Sequence, residues 1–126
     1  MKNYTKAKNR AEKFSAVVIS SVSAFAGWQG GSVYCASKGA VSAAVRSLAI
    51  ELAPKGIRVN VLAPGFIETD MTGALPENVR QEWEKQIPLR RGGKPEDVAA
   101  VAVFLASDLS GYVTGQVINC CGGMNC

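Results

Sequence analysis

Polar and apolar positions alternate along this chain in blocks whose lengths and periods predict its elements. A polar opening, MKNYTKAKNRAEK, gives way to SAVVIS (Ser15–Ser20), a short β-branched run of the kind that forms a buried strand. A loop of small residues, SVSAFAGWQGG, leads into SVYCASKGAVSAAVRSLAIEL (32–52). There Val41, Val45, Leu48 and Leu52 recur at helical spacing, which predicts a long amphipathic helix stopped by Pro54 and Gly56. GIRVNVLA (56–63) reads as a second buried strand. A long excursion follows, with one helix near Glu77–Lys85. Pro95 then opens a further helix through EDVAAVAVFLAS, with acids in its first turn. GQVINC is a short last strand. Strands alternating with helices mean parallel strands joined by helical crossovers, an α/β fold. Three strands make a thin sheet, and the first has no preceding strand–helix unit to pair with. The expected architecture is therefore half of a larger sheet.

Composition adds little until charge is placed along the chain. The 126 residues are 48% hydrophobic and 19% charged, with a net charge of +4. That excess is local: residues 1–13 carry Lys2, Lys6, Lys8, Arg10 and Lys13 against Glu12 alone, and the rest of the chain is balanced. Residues 1–14 are read as a basic, solvated helical lead-in and residues 15–126 as the domain body. No aromatic interleaving or recognition motif accompanies the basic stretch, so no nucleic-acid partner is expected. No run approaches the roughly 18 apolar residues of a membrane span, and no apolar run follows the N-terminal lysines as in a secretory signal. A cytoplasmic protein with reduced thiols is the expectation. There is no histidine, and Cys35, Cys120, Cys121 and Cys126 lack the spacing of a zinc site, so no metal is expected.

The candidate chemistry lies at the head of the long helix. Tyr34 and Lys38 are four residues apart and share one helical face. A free phenol titrates near 10 and is a poor proton donor at neutral pH. An ammonium about 5 Å away, at an effective dielectric near 20, favours the phenolate by roughly 3 kcal/mol, about two pKa units. Ser21 stands at the end of the first strand, where ligands bind in α/β sheets, with Ser20 and Ser23 as competing hydroxyls. At the end of the next strand, Pro64-Gly65 is expected to break the strand and leave main-chain groups for a planar ligand edge. Two strand ends and one helix start thus converge on a single crevice.

Ser21, YCASK, RVNVLAPGFIETDM and GYVTGQVINCCGGM, in this order, closely resemble the C-terminal half of the short-chain dehydrogenase/reductases. Within them the chain is most similar to the 3-oxoacyl-[acyl-carrier-protein] reductases, over residues 15–124. The resemblance implies the C-terminal half of a doubly wound parallel Rossmann sheet, and hydride transfer between NAD(P)H and a ketone. NADPH is the expected cofactor, with NADH as the other choice. Tyr34 would be the proton donor, Lys38 would hold the cofactor ribose and lower the Tyr34 pKa, and Ser21 would steady the substrate oxygen. The Ile67 main chain and the Thr69 hydroxyl would meet the nicotinamide end and its phosphates, shaped by Pro64 and Gly65. Residues 71–93 would be a substrate flap.

The departures matter too. The family's glycine-rich pyrophosphate turn and its catalytic asparagine have no counterpart here, so the chain is expected to be a truncated form beginning at a crossover helix. INCCGGM stands where the family usually has VDGG, and Cys120 and Cys121 read as packing residues there, not as redox partners. Lys55, Arg90 and Arg91 are candidates to receive an acidic carrier protein. The small residues of the 33–53 helix suit a homo-oligomer contact. The alternative to an enzyme is a non-catalytic interaction module derived from the same family.

Overall fold

The computed structural model describes residues 13–126; most of the basic lead-in expected at 1–14 lies outside the described residues. Three parallel strands, β1 (Phe14–Ile19), β2 (Ile57–Pro64) and β3 (Val117–Cys120), form one sheet in the order β1-β2-β3. β1 pairs with β2 from Phe14↔Ile57 to Ile19↔Leu62, and β2 with β3 from Val61↔Val117 to Pro64↔Cys120. The long helix α1 (Ser32–Leu52) crosses from β1 to β2. The excursion after β2 carries α2 (Asp70–Gly73), α3 (Glu77–Gln86) and α4 (Pro95–Ala106), the last crossing to β3. The architecture is the α/β half-sheet expected from the sequence. No helix among the described residues is long and apolar enough to cross a membrane.

β2 is the centre of the core. Ile57, Val59 and Val61 pack under Val45 and Ala49 of α1, with Val18, Leu52 and Val117 at the margin. Burial of each large side chain contributes about 1.5–3 kcal/mol. The helix is rotated from the expected stripe: Ser42, Val45 and Ala49 face the sheet, and Leu48 is 41% exposed. Close approach decides this. A Cβ on Gly115 would lie 3.2 Å from the Ala49 Cβ, so a leucine in that row would not fit. Ser42 is tolerated inside because its hydroxyl is hydrogen-bonded.

The opposite face of β2 is tied to α4 by polar groups. Arg58 donates to the Leu105 and Ser107 carbonyls at the end of α4, to Val113 O and to Ser110 Oγ, at 2.9–3.2 Å. A cation at a helix C-terminus also meets the negative end of its dipole. Fully buried Asn60 donates to Val113 O and accepts from the Gln116 N–H, fixing the loop that enters β3.

β1 departs from the sequence expectation of a buried strand. Its pairing is to β2 alone among the described residues, and Phe14 and Ile19 are about half exposed. A strand with one paired edge lacks the neighbouring unit that covers a central parallel strand on both sides.

Candidate active site

The carboxyl end of β1 meets the first turns of α1. Ser20, 4% exposed, follows β1 and points into the helix: its hydroxyl lies 3.0 Å from the Lys38 carbonyl and 3.1 Å from Ser42 Oγ. Ser42 Oγ lies 3.1 Å from the same carbonyl. The Ser20 N–H donates to Leu62 O at 2.9 Å, continuing the sheet. The neighbouring serines Ser20, Ser21 and Ser23 therefore separate by role. Ser20 fastens the helix, whereas Ser21 is partly exposed and caps the turn Val22–Ala24, accepting from the Ser23 N–H and contacting Ser23 Oγ at 3.0 Å.

Tyr34 and Lys38 stand on the next turns of α1. The Lys38 Nζ is 5.8 Å from the Tyr34 ring centroid, within range of a cation–π contact, and Tyr34 is 46% exposed. Trp28 also packs against the phenol, with ring centroids 5.6 Å apart at 51°. Trp28 in turn lies over Gly31, where any Cβ would come within 2.4–2.8 Å of the indole. Gly31 is the residue before α1, so the missing side chain lets the indole fold back against the helix start. Trp28 and Gly31 went unread in the sequence, since nothing in a loop of small residues marks an aromatic contact across six positions.

β2 ends at Pro64, where the strand was expected to break, and the Gly65 N–H donates to Cys120 O at 3.0 Å, so that main-chain group is already used. Gly65 is required for another reason: a Cβ there would lie 2.7 Å from Cys121 Cβ and 2.9 Å from Cys121 Cα. Beyond it, Ile67 bridges to Gly93 through Gly93 N–H to Phe66 O and Glu68 N–H to Gly93 O. The Ile67 carbonyl accepts from the Thr72 hydroxyl at 3.1 Å, while its N–H has no protein partner among the described residues. Thr69 caps α2 in a reciprocal box with Thr72: Thr69 Oγ1 accepts from Thr72 N–H, and Thr72 Oγ1 from Thr69 N–H at 2.7 Å. The TDMT spacing carried this signal, although α2 was not expected. The Thr69 hydroxyl proton remains free to donate.

An open cleft of about 470 Å³ is lined by Glu68, Thr69, Thr72, Arg80 and neighbours; a second cavity of about 270 Å³ lies against Phe66, Cys120 and Cys121. Neither includes Ser21, Tyr34 or Lys38; Tyr34 is exposed, and Ser21 and Lys38 are partly so. The base of the 71–93 excursion is anchored: Ile87 is buried and the Leu89 N–H donates to Gly122 O. Of the proposed carrier cations, Arg91 is held by Asp97 at 2.7 Å and Arg90 by the Lys85 carbonyl at 2.5 Å. The Arg91 hydrogen bond, with a second from the Lys94 N–H, holds the Asp97 carboxyl down at about 2. That carboxylate caps the start of α4. Among the described residues no cluster of three metal-ligating side chains occurs.

Comparison with known proteins agrees with this architecture. The family model described as Enoyl-(Acyl carrier protein) reductase matches residues 1–125. The chain is 50% identical over 115 residues to 3-oxoacyl-[acyl-carrier-protein] reductase FabG of Chlamydia pneumoniae, covering 91% of this chain and 46% of the relative. It is 54% identical over 110 residues to the FabG of Thermotoga maritima, covering 87% and 45%. The crystal structure of 3-oxoacyl-[acyl-carrier protein] reductase from Brucella melitensis superposes with a TM-score of 0.86 at 36% identity, over 97% of this chain and 46% of that one. The chain thus spans a little under half the length of these relatives. The match over nearly all of its residues places it, by sequence and by fold, in the short-chain dehydrogenase/reductase family.

Proposed function

We propose that this chain supplies the catalytic half of an NADPH-dependent ketone reductase acting on a 3-oxoacyl thioester carried by acyl carrier protein, in fatty acid biosynthesis in the cytoplasm. The observation that carries the reading is the Tyr34–Lys38 pair, with the ammonium 5.8 Å from the phenol ring at the carboxyl end of β1. Tyr34 donates the proton to the carbonyl oxygen as it gains negative charge, and Lys38 favours the phenolate left behind. Ser21 hydrogen-bonds the same oxygen. Trp28 is a positioning residue, limiting the arc of the Tyr34 ring.

The residues present fit the nicotinamide end of a dinucleotide. Lys38 would hold its ribose, the unpartnered Ile67 N–H its carboxamide, and the spare Thr69 proton a phosphate oxygen. When bound, the cofactor supplies hydride to the ketone carbon. Residues 15–126 are assigned to the C-terminal half of the Rossmann domain on the resemblance of YCASK, RVNVLAPGFIETDM and GYVTGQVINCCGGM to that half, and no glycine-rich turn for the pyrophosphate occurs in this sequence. An acidic carrier would meet Lys55, since Arg91 is already paired with Asp97.

A second reading, a non-catalytic oligomerisation module, draws on the outward face of α1. Ala36, Ala40, Ala43 and Ala44 are all exposed there, as a close homo-oligomeric helix contact at 33–53 would need. NADPH fluorescence titration separates the two. The enzyme reading expects weak or no binding by the 126-residue chain, and binding with 3-oxoacyl reduction once the N-terminal half of the Thermotoga maritima relative is joined to it. A correctly folded chimera that binds NADPH yet never reduces the thioester would leave the module.

A further inference from the structure

We propose that Cys120 and Cys121 form a dithiol that small hydroperoxides oxidise to a vicinal disulfide, and that closing this ring moves the Pro64–Gly65 elbow. In a continuing strand, successive side chains point to opposite faces. Here β3 ends at Cys120 and the chain bends through Gly122 and Gly123, both at positive φ of 62° and 87°. Both cysteines consequently border one cavity of about 270 Å³, together with Phe66, Leu89, Arg91 and Asp97. Both are free thiols and partly accessible.

The two thiols are not equivalent. Burial pushes the Cys120 thiol up, aided by the Asp97 carboxylate and by Cys121, with Arg91 opposing. Burial disfavours ionisation of Cys120, and the first attack is assigned to Cys121. Its sulfur bonds to one peroxide oxygen, the O–O bond breaks, and the departing oxygen takes a proton and leaves as alcohol, or as water from hydrogen peroxide. The Cys120 sulfur then attacks the sulfenic sulfur. The S–S bond forms, the S–O bond breaks, and the Cys120 proton leaves with the hydroxide as water. The protein loses two protons and two electrons, and the peroxide is reduced.

Consecutive Cα atoms are about 3.8 Å apart, below the roughly 4.4–6.8 Å of ordinary disulfides. The ring is strained, and thiols reduce it readily. It also forms beside a close backbone contact. Gly65 donates to the Cys120 carbonyl at 3.0 Å, and even one added carbon on Gly65 would lie 2.7 Å from Cys121 Cβ. Rearranging the 120–121 peptide must displace this contact. That the displacement matters for cofactor binding rests on the reductase reading; the chemistry does not.

The test is one equivalent of hydrogen peroxide on the reduced 126-residue chain, then alkylation and peptide mapping. The expected result is a peptide holding both cysteines that has lost two hydrogens, is blocked to alkylation, and is restored by dithiothreitol. The Gly65 and Ile67 amide resonances should shift on oxidation, and Cys121→Ser should abolish both effects; Cys126→Ser should abolish neither. Sulfinic acid on one cysteine, or pairing with Cys126, Cys35 or a second chain, would overturn the dithiol. A closed ring with unmoved Gly65 and Ile67 resonances would overturn the coupling. Neither readout uses NADPH, so a failed reductase assignment stays distinguishable from a failed dithiol.

Discussion

The hydroxyl of Ser20 donates to the backbone carbonyl of Lys38 at 3.0 Å, joining the last residue after β1 to the helical turn that carries the candidate ammonium. This bond links sheet and helix where the chemistry is proposed. It sets the height of α1 above the strand end, and with it the positions of Tyr34 and Lys38.

Ser20→Ala should destabilise the chain by about 0.5–1.5 kcal/mol in urea unfolding, because it removes a buried hydrogen bond between strand end and helix while Ser42 still serves the Lys38 carbonyl. Ser21→Ala, whose bonds stay within its own turn, should cost no more than about 0.5 kcal/mol. Equal effects of the two substitutions would contradict the division of roles between these serines.

Gly65→Ala should destabilise by about 1–3 kcal/mol, because the new methyl meets both Cβ and Cα of Cys121. Cys121→Gly should recover only part of that loss, since the 2.9 Å contact to backbone Cα persists. Full recovery in the double variant, measured by thermal unfolding, would show that side-chain contact alone makes glycine necessary.

Acid should loosen the start of α4. The Asp97 carboxyl is depressed from its ordinary 3.8 to about 2 by the Arg91 hydrogen bond and then the Lys94 N–H. The folded state thus favours the ionised form. Its contribution is complete above the ordinary value and is lost as pH falls through about 2. Carboxyl-detected NMR should follow this titration. Arg91→Ala should raise the Asp97 pKa part of the way, leaving the Lys94 bond. An unchanged Asp97 pKa in that variant would contradict the attribution.

Removal of the Thr69 cap should unravel α2. Thr69→Val should abolish the slow exchange of the Thr72 amide and cost about 0.5–2 kcal/mol, whereas Thr69→Ser should preserve both. Identical exchange in Thr69→Val would mean that the cap contributes nothing.

Much of this molecule was legible before its structure. α1, α4 and the central strand followed from periodicity and from Pro54, Gly56 and Pro95, because local chain geometry dictates them. The pairing of Tyr34 with Lys38 followed from helical spacing alone. The rest depended on contacts between distant segments. Ser20 and Ser21 are equivalent in sequence, and only the packing of Ser42 tells them apart. The rotation of α1 that buries Ala49 and exposes Leu48 was set by Gly115, some sixty positions away. α2 is a single turn held by two threonines, too short for any periodic pattern. Cys120 and Cys121 read as packing residues, and the cavity they both border beside Phe66 and Arg91 is built by segments some thirty to fifty positions away.

The most direct test is Tyr34→Phe in the chimera carrying the N-terminal half of the Thermotoga maritima relative, assayed for NADPH oxidation with a 3-oxoacyl thioester. Turnover should fall by about 10²–10⁴-fold, with NADPH affinity held within about twofold and unfolding unchanged. Turnover at the parental rate would contradict the proton-transfer role of Tyr34, and with it the enzymatic account of the Tyr34–Lys38 pair.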